Sequence, residues 1–140
     1  MARILLVDDD GPTLDVLTLS LTLDGHEAHR AENGRDGIAL AAALLPDLIV
    51  LDQMMPVMDG LTAARHIRAT AGIADTPIVM LTAKVMESDV WAGWQAGVDS
   101  YLTKPLDLDV LTAEMARLGI TPDALTSGTG DELAATSGER

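Results

Sequence analysis

The chain has no cysteine and no phenylalanine among its 140 residues. Without thiols, disulfide pairing, thiolate metal sites and cysteine nucleophiles are excluded together. Trp91, Trp94 and Tyr101 are the only aromatics, so the core must be built from Leu, Val, Ile, Ala and Met. Basic side chains are scarce too: 9 Lys and Arg stand against 22 Asp and Glu, a formal net charge of −13. A surface that negative repels nucleic-acid phosphates and anionic lipid, which argues against direct binding to either. No apolar run approaches the ~20 residues of a membrane-spanning helix, and the N-terminus lacks the long apolar stretch of a secretory signal. The expectation is a soluble cytoplasmic protein of about one domain's length, able to bury a core without staples.

What is present is an alternation of short apolar runs and helical stretches. Ile4–Val7 ends abruptly in Asp8, Asp9 and Asp10. Gly11-Pro12 then opens a helix, since proline loses nothing at the first helical position. Leu14, Val16, Leu17 and Leu21 recur at helical spacing up to a stop at Gly25. Glu27–Ala31 reads as a weak second strand, and Asn33-Gly34 opens a helix running from Ile38 to Leu45 before Pro46. Leu48–Leu51, bracketed by Asp47 and Asp52, is the clearest strand. A run that is apolar at every position marks a parallel strand covered on both faces.

Pro77–Thr82 repeats that pattern, after a helix from Leu61 to about Thr70. A helix over Glu87–Ala96, a fifth strand over Val98–Leu102 and a last helix over Leu106–Leu118 complete the series. Strand followed by helix, five times over, predicts an α/β fold with a parallel sheet and helices on both faces. Residues 119–140, with four Gly and many Ser and Thr, read as a flexible acidic tail. Residues 1–118 hold 8 basic and 18 acidic side chains, so the body is acidic in its own right.

Ligands of open parallel sheets bind beyond the carboxyl ends of the strands. Four of the five expected strands end there in polar residues that packing does not explain: Asp8-Asp9, Asp52, Thr82 and Lys104. Gathered at one edge, the three carboxylates repel one another unless a cation sits among them. A hard divalent ion such as Mg²⁺ fits that need, and Lys104 and Thr82 add a fixed charge and a hydroxyl donor. Together these groups make a site for a phosphoryl group.

Four segments carry a family resemblance: ILLVDDD at 4–10, LIVLDQMMPVMDG at 48–60, PIVMLTA at 77–83 and AGVDSYLTKP at 96–105. In their order and spacing they resemble the receiver domain of two-component response regulators, over residues 2–118. The resemblance implies a flavodoxin-like, doubly wound five-stranded parallel sheet of order 2-1-3-4-5 with five helices. By the same resemblance Asp52 is the phosphoacceptor, and Asp8, Asp9, Asp52 and the backbone carbonyl of Met54 hold Mg²⁺, with Mn²⁺ as a substitute. Thr82 resembles the hydroxyl that turns to the phosphoryl group, Tyr101 the aromatic switch, and Lys104 the lysine on the phosphoryl oxygens. Lys104-Pro105 matches the bond that is usually cis in the family. The side chains of Met54 and Lys84 match the positions that flank the phosphoryl group and tune its lifetime. The expected donor is a histidine kinase or histidine phosphotransfer protein. The expected output is a protein target docking on the face of the fourth helix, fifth strand and fifth helix, where Val90, Trp91 and Tyr101 fall. Monomer and phosphorylation-dependent dimer both remain open.

Plainer explanations stand beside these. Asp10 is better explained as a helix cap than as a ligand. His26, His29 and His66 are expected at the surface without a role, and the resemblance, in which the comparable position is usually apolar, implies Trp94 rather than Trp91 in the core. Two other functions compete. Asp8-x-Asp10-Gly11 followed by Thr13 resembles the motif of Mg²⁺-dependent haloacid-dehalogenase-like phosphatases, although Pro12 interrupts the match. The chain also reads as a receiver module cut from a larger regulator, against the favoured stand-alone reading, in which it acts by docking to partners.

Overall fold

The computed structural model describes residues 1–83 and 87–122, with the side chains of 87–90 excepted. Its elements follow one another as β1 (Arg3–Val7), α1 (Gly11–Leu23), β2 (Glu27–Ala31), α2 (Gly34–Leu44), β3 (Leu48–Asp52), α3 (Gly60–Arg68), β4 (Ile78–Thr82), α4 (Glu87–Ala96), β5 (Ser100–Thr103) and α5 (Leu108–Arg117). The strands form one parallel sheet of order β2-β1-β3-β4-β5. This is the flavodoxin-like topology expected from the sequence.

Alternate residues of the strands feed two separate cores. Ile4, Leu6, Val50, Val79 and Leu81 meet Leu14, Leu17 and Leu21 of α1 and Leu111 and Met115 of α5. Leu5, Val7, Ile49, Leu51, Ile78 and Met80 meet Ala41 of α2, Ala63, Ala64 and Ile67 of α3, and Ala96 of α4. The period-two alternation of a strand, with both sets apolar, is what makes the central strands fully buried. At about 25 cal/mol per Å² of apolar surface, each large side chain buried this way stabilises the fold by roughly 2 kcal/mol.

Side-chain caps set where the helices begin. Asn33 accepts from the backbone N–H of Asp36, Asp59 from that of Thr62, and Asp107 from that of Asp109. The last of these explains one departure from expectation: α5 starts at Leu108, because Asp107 caps the helix there and Pro105-Leu106 stays in the preceding loop. β5 likewise begins at Ser100, two residues after the expected Val98. Val16 falls on the outer side of α1 and is exposed, away from Leu14, Leu17 and Leu21. Ile120 lies inside the segment expected as tail, yet it is buried in the core with Ala2 and Met115. Residues 123–140 of that segment are outside the described residues.

Two further expectations are corrected. His26 is buried, and its Nδ1 accepts from the backbone N–H of Ala2 at 3.2 Å, so the imidazole ties the turn before β2 to the start of β1. Trp94 is 58% exposed and Trp91 66%. The inner side of α4 is instead made of Gly93 and Ala96, both buried. A Cβ on Gly93 would lie 2.2–2.6 Å from the ring and hydroxyl of Tyr101. The tyrosine therefore fills the space on that side of the helix, and an indole one residue further round points outward.

Candidate functional site

Strand register brings the site together. Val7 pairs with Leu51, so Asp8 and Asp52 are the next residues beyond that pairing on adjacent strands. Asp52 itself pairs with Leu81, and Thr82 with Thr103, which sets Lys104 one residue beyond the β4–β5 ladder. The backbone N–H of Lys104 donates to Thr82 O at 2.8 Å, and Lys104-Pro105 is a cis peptide, as the family pattern implied.

The carboxylates of Asp8, Asp9 and Asp52 present ligand atoms that all lie within 4.8 Å of one another. Asp8 and Asp52 are buried at 1% and 3% exposure, whereas Asp9 faces solvent. Lys104 Nζ lies 2.9 Å from Asp8 Oδ2 and 3.5 Å from Asp52 Oδ1, bridging the buried pair. Asp8 Oδ1 also accepts from the backbone N–H of Asp10 at 2.9 Å, and Asp52 Oδ1 accepts from that of Met54 at 3.4 Å. Burial, and then repulsion from Asp8, push the Asp52 carboxyl up to about 6 against the opposing pull of Lys104. Burial alone would lower Lys104, but its ion pair with Asp8 and the charge of Asp52 outweigh that and hold it above the usual lysine range.

The loop after β3 is shaped by close approach. Gln53 N–H donates to Leu81 O, Gln53 O accepts from Gly60 N–H, and Gln53 Oε1 accepts from Leu61 N–H at 2.9 Å. A Cβ at Gly60 would come 2.6 Å from Asp52 O and 2.8 Å from Gln53 Cα, so α3 can start against the site only with glycine there. Gln53 and Gly60 were not among the sequence candidates. The Asp59-Gly60 turn hinted at the glycine, but nothing marked the glutamine.

The other sequence candidates separate cleanly. Thr82 is buried beside the cluster's strand edge and Tyr101 is half-buried against Gly93. The Met54 side chain is 71% exposed. Asp10 lies outside the acid cluster: its side chain accepts from Thr13 Oγ1 and it stands at the N-cap of α1. Trp91 is exposed on α4; Lys84 and the side chain of Val90 are outside the described residues.

A doubly wound sheet with buried carboxylates and one lysine at its carboxyl edge defines a class, the receiver-type signalling module. Comparison with known proteins gives the family. Residues 4–116 match the response regulator receiver domain, and the chain belongs to that family. It is 43% identical over 136 residues to the response regulator MprA of Mycolicibacterium vanbaalenii, covering 96% of this chain and 57% of that one. To the DNA-binding dual master transcriptional regulator RpaA of Synechocystis it is 41% identical over 118 residues, covering 84% and 49%. The chain thus spans about half the length of these two relatives. Against protein PilH of Pseudomonas aeruginosa the identity is 40% over 111 residues, covering 79% of this chain and 92% of PilH. Among solved structures, the Vibrio cholerae chemotaxis protein CheY4 superposes with a TM-score of 0.81 at 30% identity, covering 84% and 98%. The receiver domain of a Pseudomonas aeruginosa sensor histidine kinase, described with a magnesium ion in its active-site cleft, gives 0.77 at 32%, covering 85% and 98%.

The chain is therefore a two-component receiver, a signalling module with an acidic pocket. The phosphatase reading on Asp8 and Asp10 loses its support, since Asp10 lies outside the acid cluster and its side chain accepts from the Thr13 hydroxyl instead. Among the described residues no helix is long and apolar enough to cross a membrane.

Proposed function

We propose that this chain is a phosphorylation-activated switch that accepts a phosphoryl group from a phosphohistidine onto Asp52. The observation that carries this reading is Lys104 Nζ between the buried Asp8 and Asp52, in an acid cluster with one cation for three carboxylates among the described residues. Such a cluster is complete only with further positive charge. The donor set, all hard oxygens, fits Mg²⁺ or Mn²⁺; Asp8, Asp9, Asp52 and the Met54 carbonyl would hold the ion. When bound it would neutralise charge on the phosphoryl oxygens.

An Asp52 carboxylate oxygen attacks phosphorus in line, the P–N bond breaks, and the imidazole leaves with the bonding pair and gains a proton. Lys104 stabilises negative charge on the transferring oxygens. An Asp52 carboxyl near 6 is mostly ionised at neutral pH, as a nucleophile must be, and is more basic than an ordinary aspartate. Thr82 then donates its hydroxyl to the new acyl phosphate. Tyr101 follows inward and shifts the α4–β5–α5 face, with Val90, Trp91 and Tyr101 presented to a protein target. The side chains of Met54 and Lys84 flank the group and set how long it lasts. The donor is a histidine kinase or histidine phosphotransfer protein.

Intact mass after incubation with Mg²⁺ and a small-molecule phosphodonor tests this. One added phosphoryl group on the wild type, absent with chelator and absent in Asp52→Asn, is expected. Uptake by Asp52→Asn equal to wild type would overturn the assignment.

A further inference from the structure

The chain has seven methionines and no cysteine, so its only oxidisable sulfurs are thioethers. Three of the seven, Met54, Met55 and Met58, fall in the loop between β3 and α3, which follows Asp52 of the acid cluster. Thioethers usually serve as pliable core filler. That role accounts for Met55 and Met58, which pack against the core, and for Met80 and Met115, which are buried. Met58 is also held close to the start of α2, where a Cβ on Gly34 would lie 3.1 Å from its Cβ and its carbonyl. Core filling does not account for Met54, which is 71% exposed two residues after Asp52.

Its backbone ties Met54 to the site, because its N–H donates to Asp52 Oδ1 at 3.4 Å. An oxidant arriving from solution therefore meets one open thioether beside the phosphoacceptor, while Met55 and Met58 are partly covered. Susceptibility to oxidation follows exposure. Among the described residues the other exposed methionine is Met1. It precedes β1 at the amino end of the sheet, where it lines a pocket with Asp47 and Ile120, across the sheet from the acid cluster.

We propose that Met54 is a redox-modification site: a hydroperoxide oxidises its thioether to the sulfoxide, and the modified side chain shortens the life of the phosphoryl group on Asp52. One oxygen atom is transferred to Met54 Sδ. The peroxide O–O bond breaks, an S–O bond forms, sulfur loses two electrons, and hydrogen peroxide leaves as water. The sulfoxide turns an apolar flank into a polar one whose oxygen accepts hydrogen bonds, so it gathers water at a phosphorus from which the thioether keeps it away. Reductases specific for each sulfoxide epimer reverse the change. The inference rests on the reading of Asp52 as the phosphoacceptor with the Met54 side chain at its flank.

The test treats the full chain with hydrogen peroxide, removes it, and loads the chain with Mg²⁺ and a small-molecule phosphodonor. Once the donor is removed, loss of the phosphoryl group is followed by intact mass, and the oxidised positions are mapped by peptide mass. Met54 is expected to take up oxygen ahead of Met55, Met58, Met80 and Met115. The phosphoryl lifetime should fall roughly two- to tenfold, the scale of one hydrogen bond gained in the transition state. Treatment with the two sulfoxide reductases should restore it. Met54→Leu, whatever its own lifetime, should not respond to peroxide. Met54→Gln, which places a carbonyl oxygen there without oxidation, should hold the phosphoryl group for less time than Met54→Leu. Oxidation of Met55 or Met58 ahead of Met54, an unchanged lifetime with Met54 fully oxidised, or a peroxide response that persists in Met54→Leu overturns the inference. So does a lifetime in Met54→Gln no shorter than in Met54→Leu. No phosphoryl uptake by the untreated wild type defeats the receiver reading and the inference with it, whereas uptake without a peroxide response defeats only the oxidation claim.

Discussion

At the amino end of β4 and β5, Arg68 donates to three backbone carbonyls, of Ala74, Thr76 and Gly97, and to the carboxylate of Asp99. Asp99 in turn accepts from the backbone N–H of Ile78 at 2.8 Å. Every partner has a complement and the charges balance. At the carboxyl end of the same sheet, Lys104 faces three carboxylates, two of them buried. The polar groups at one end are neutralised and lock α3, α4 and β5 together. Among the described residues, those at the other end are left two charges short of balance, which favours an incoming cation. The first end ties the fold together, and the second holds the acid cluster on which the proposed function rests.

Breaking the balanced end should have the largest effect. Arg68→Ala removes the cation from a half-buried knot and strands Asp99, so denaturant unfolding should show a loss of about 3 kcal/mol. Arg68→Lys should restore only part of it, because an ammonium cannot fork between the carbonyls. An effect no larger than that of an ordinary surface substitution would remove the contrast between the two ends.

Neutralising the unbalanced end should do the opposite. Folding raises the Asp52 carboxyl to about 6, so the folded state binds its proton more tightly than the unfolded chain does. Its ionisation therefore lowers stability as pH rises through the range between the ordinary aspartate value and about 6. Asp52→Asn should stabilise the metal-free protein at pH 7 by roughly 1–3 kcal/mol, and the gain should vanish near pH 4. A gain that is the same at both pH values would assign the effect to packing instead of charge.

Mg²⁺ sharpens the same contrast. At tenfold excess over its dissociation constant it should raise stability at pH 7 by about 1.4 kcal/mol. Asp9→Asn should blunt that rise, whereas Arg68→Lys should leave it in place. The smallest effect concerns the loop beside the acid cluster, where Val57 has φ 73, a left-handed conformation that penalises a β-branched residue. Val57→Gly should add about 0.5–1 kcal/mol in thermal unfolding, relief of strain outweighing the entropy of glycine.

The parallel sheet was legible because a strand covered on both faces must be apolar throughout, and Leu48–Leu51 and Ile78–Leu81 are; its strand order came with the family resemblance. The strand-end polar residues were legible as well, since nothing in a core calls for Asp8, Asp52 or Lys104. Arg68 was not. Beside Arg65 and His66 it looks like one more cation in the last turn of a helix. Its acceptors are mostly carbonyls, in the loop that follows α3 and at Gly97, which carry no sequence signal. His26 escaped for a similar reason, its partner being a backbone N–H on the first strand. Trp94 was misjudged because the family's habit of an apolar residue at that position does not say which side of this helix is inner. Only the fit of Tyr101 against Gly93 settles that.

The most direct test of the account is chemical mapping of the phosphorylated residue. Borohydride reduction of the phosphorylated chain converts an aspartyl phosphate to homoserine, and peptide sequencing by mass then reads its position. The account predicts homoserine at position 52 alone, dependent on Mg²⁺ and strongly reduced in Lys104→Ala. Homoserine at position 8 or 9, or phosphorylation that leaves residue 52 an aspartate, would contradict it.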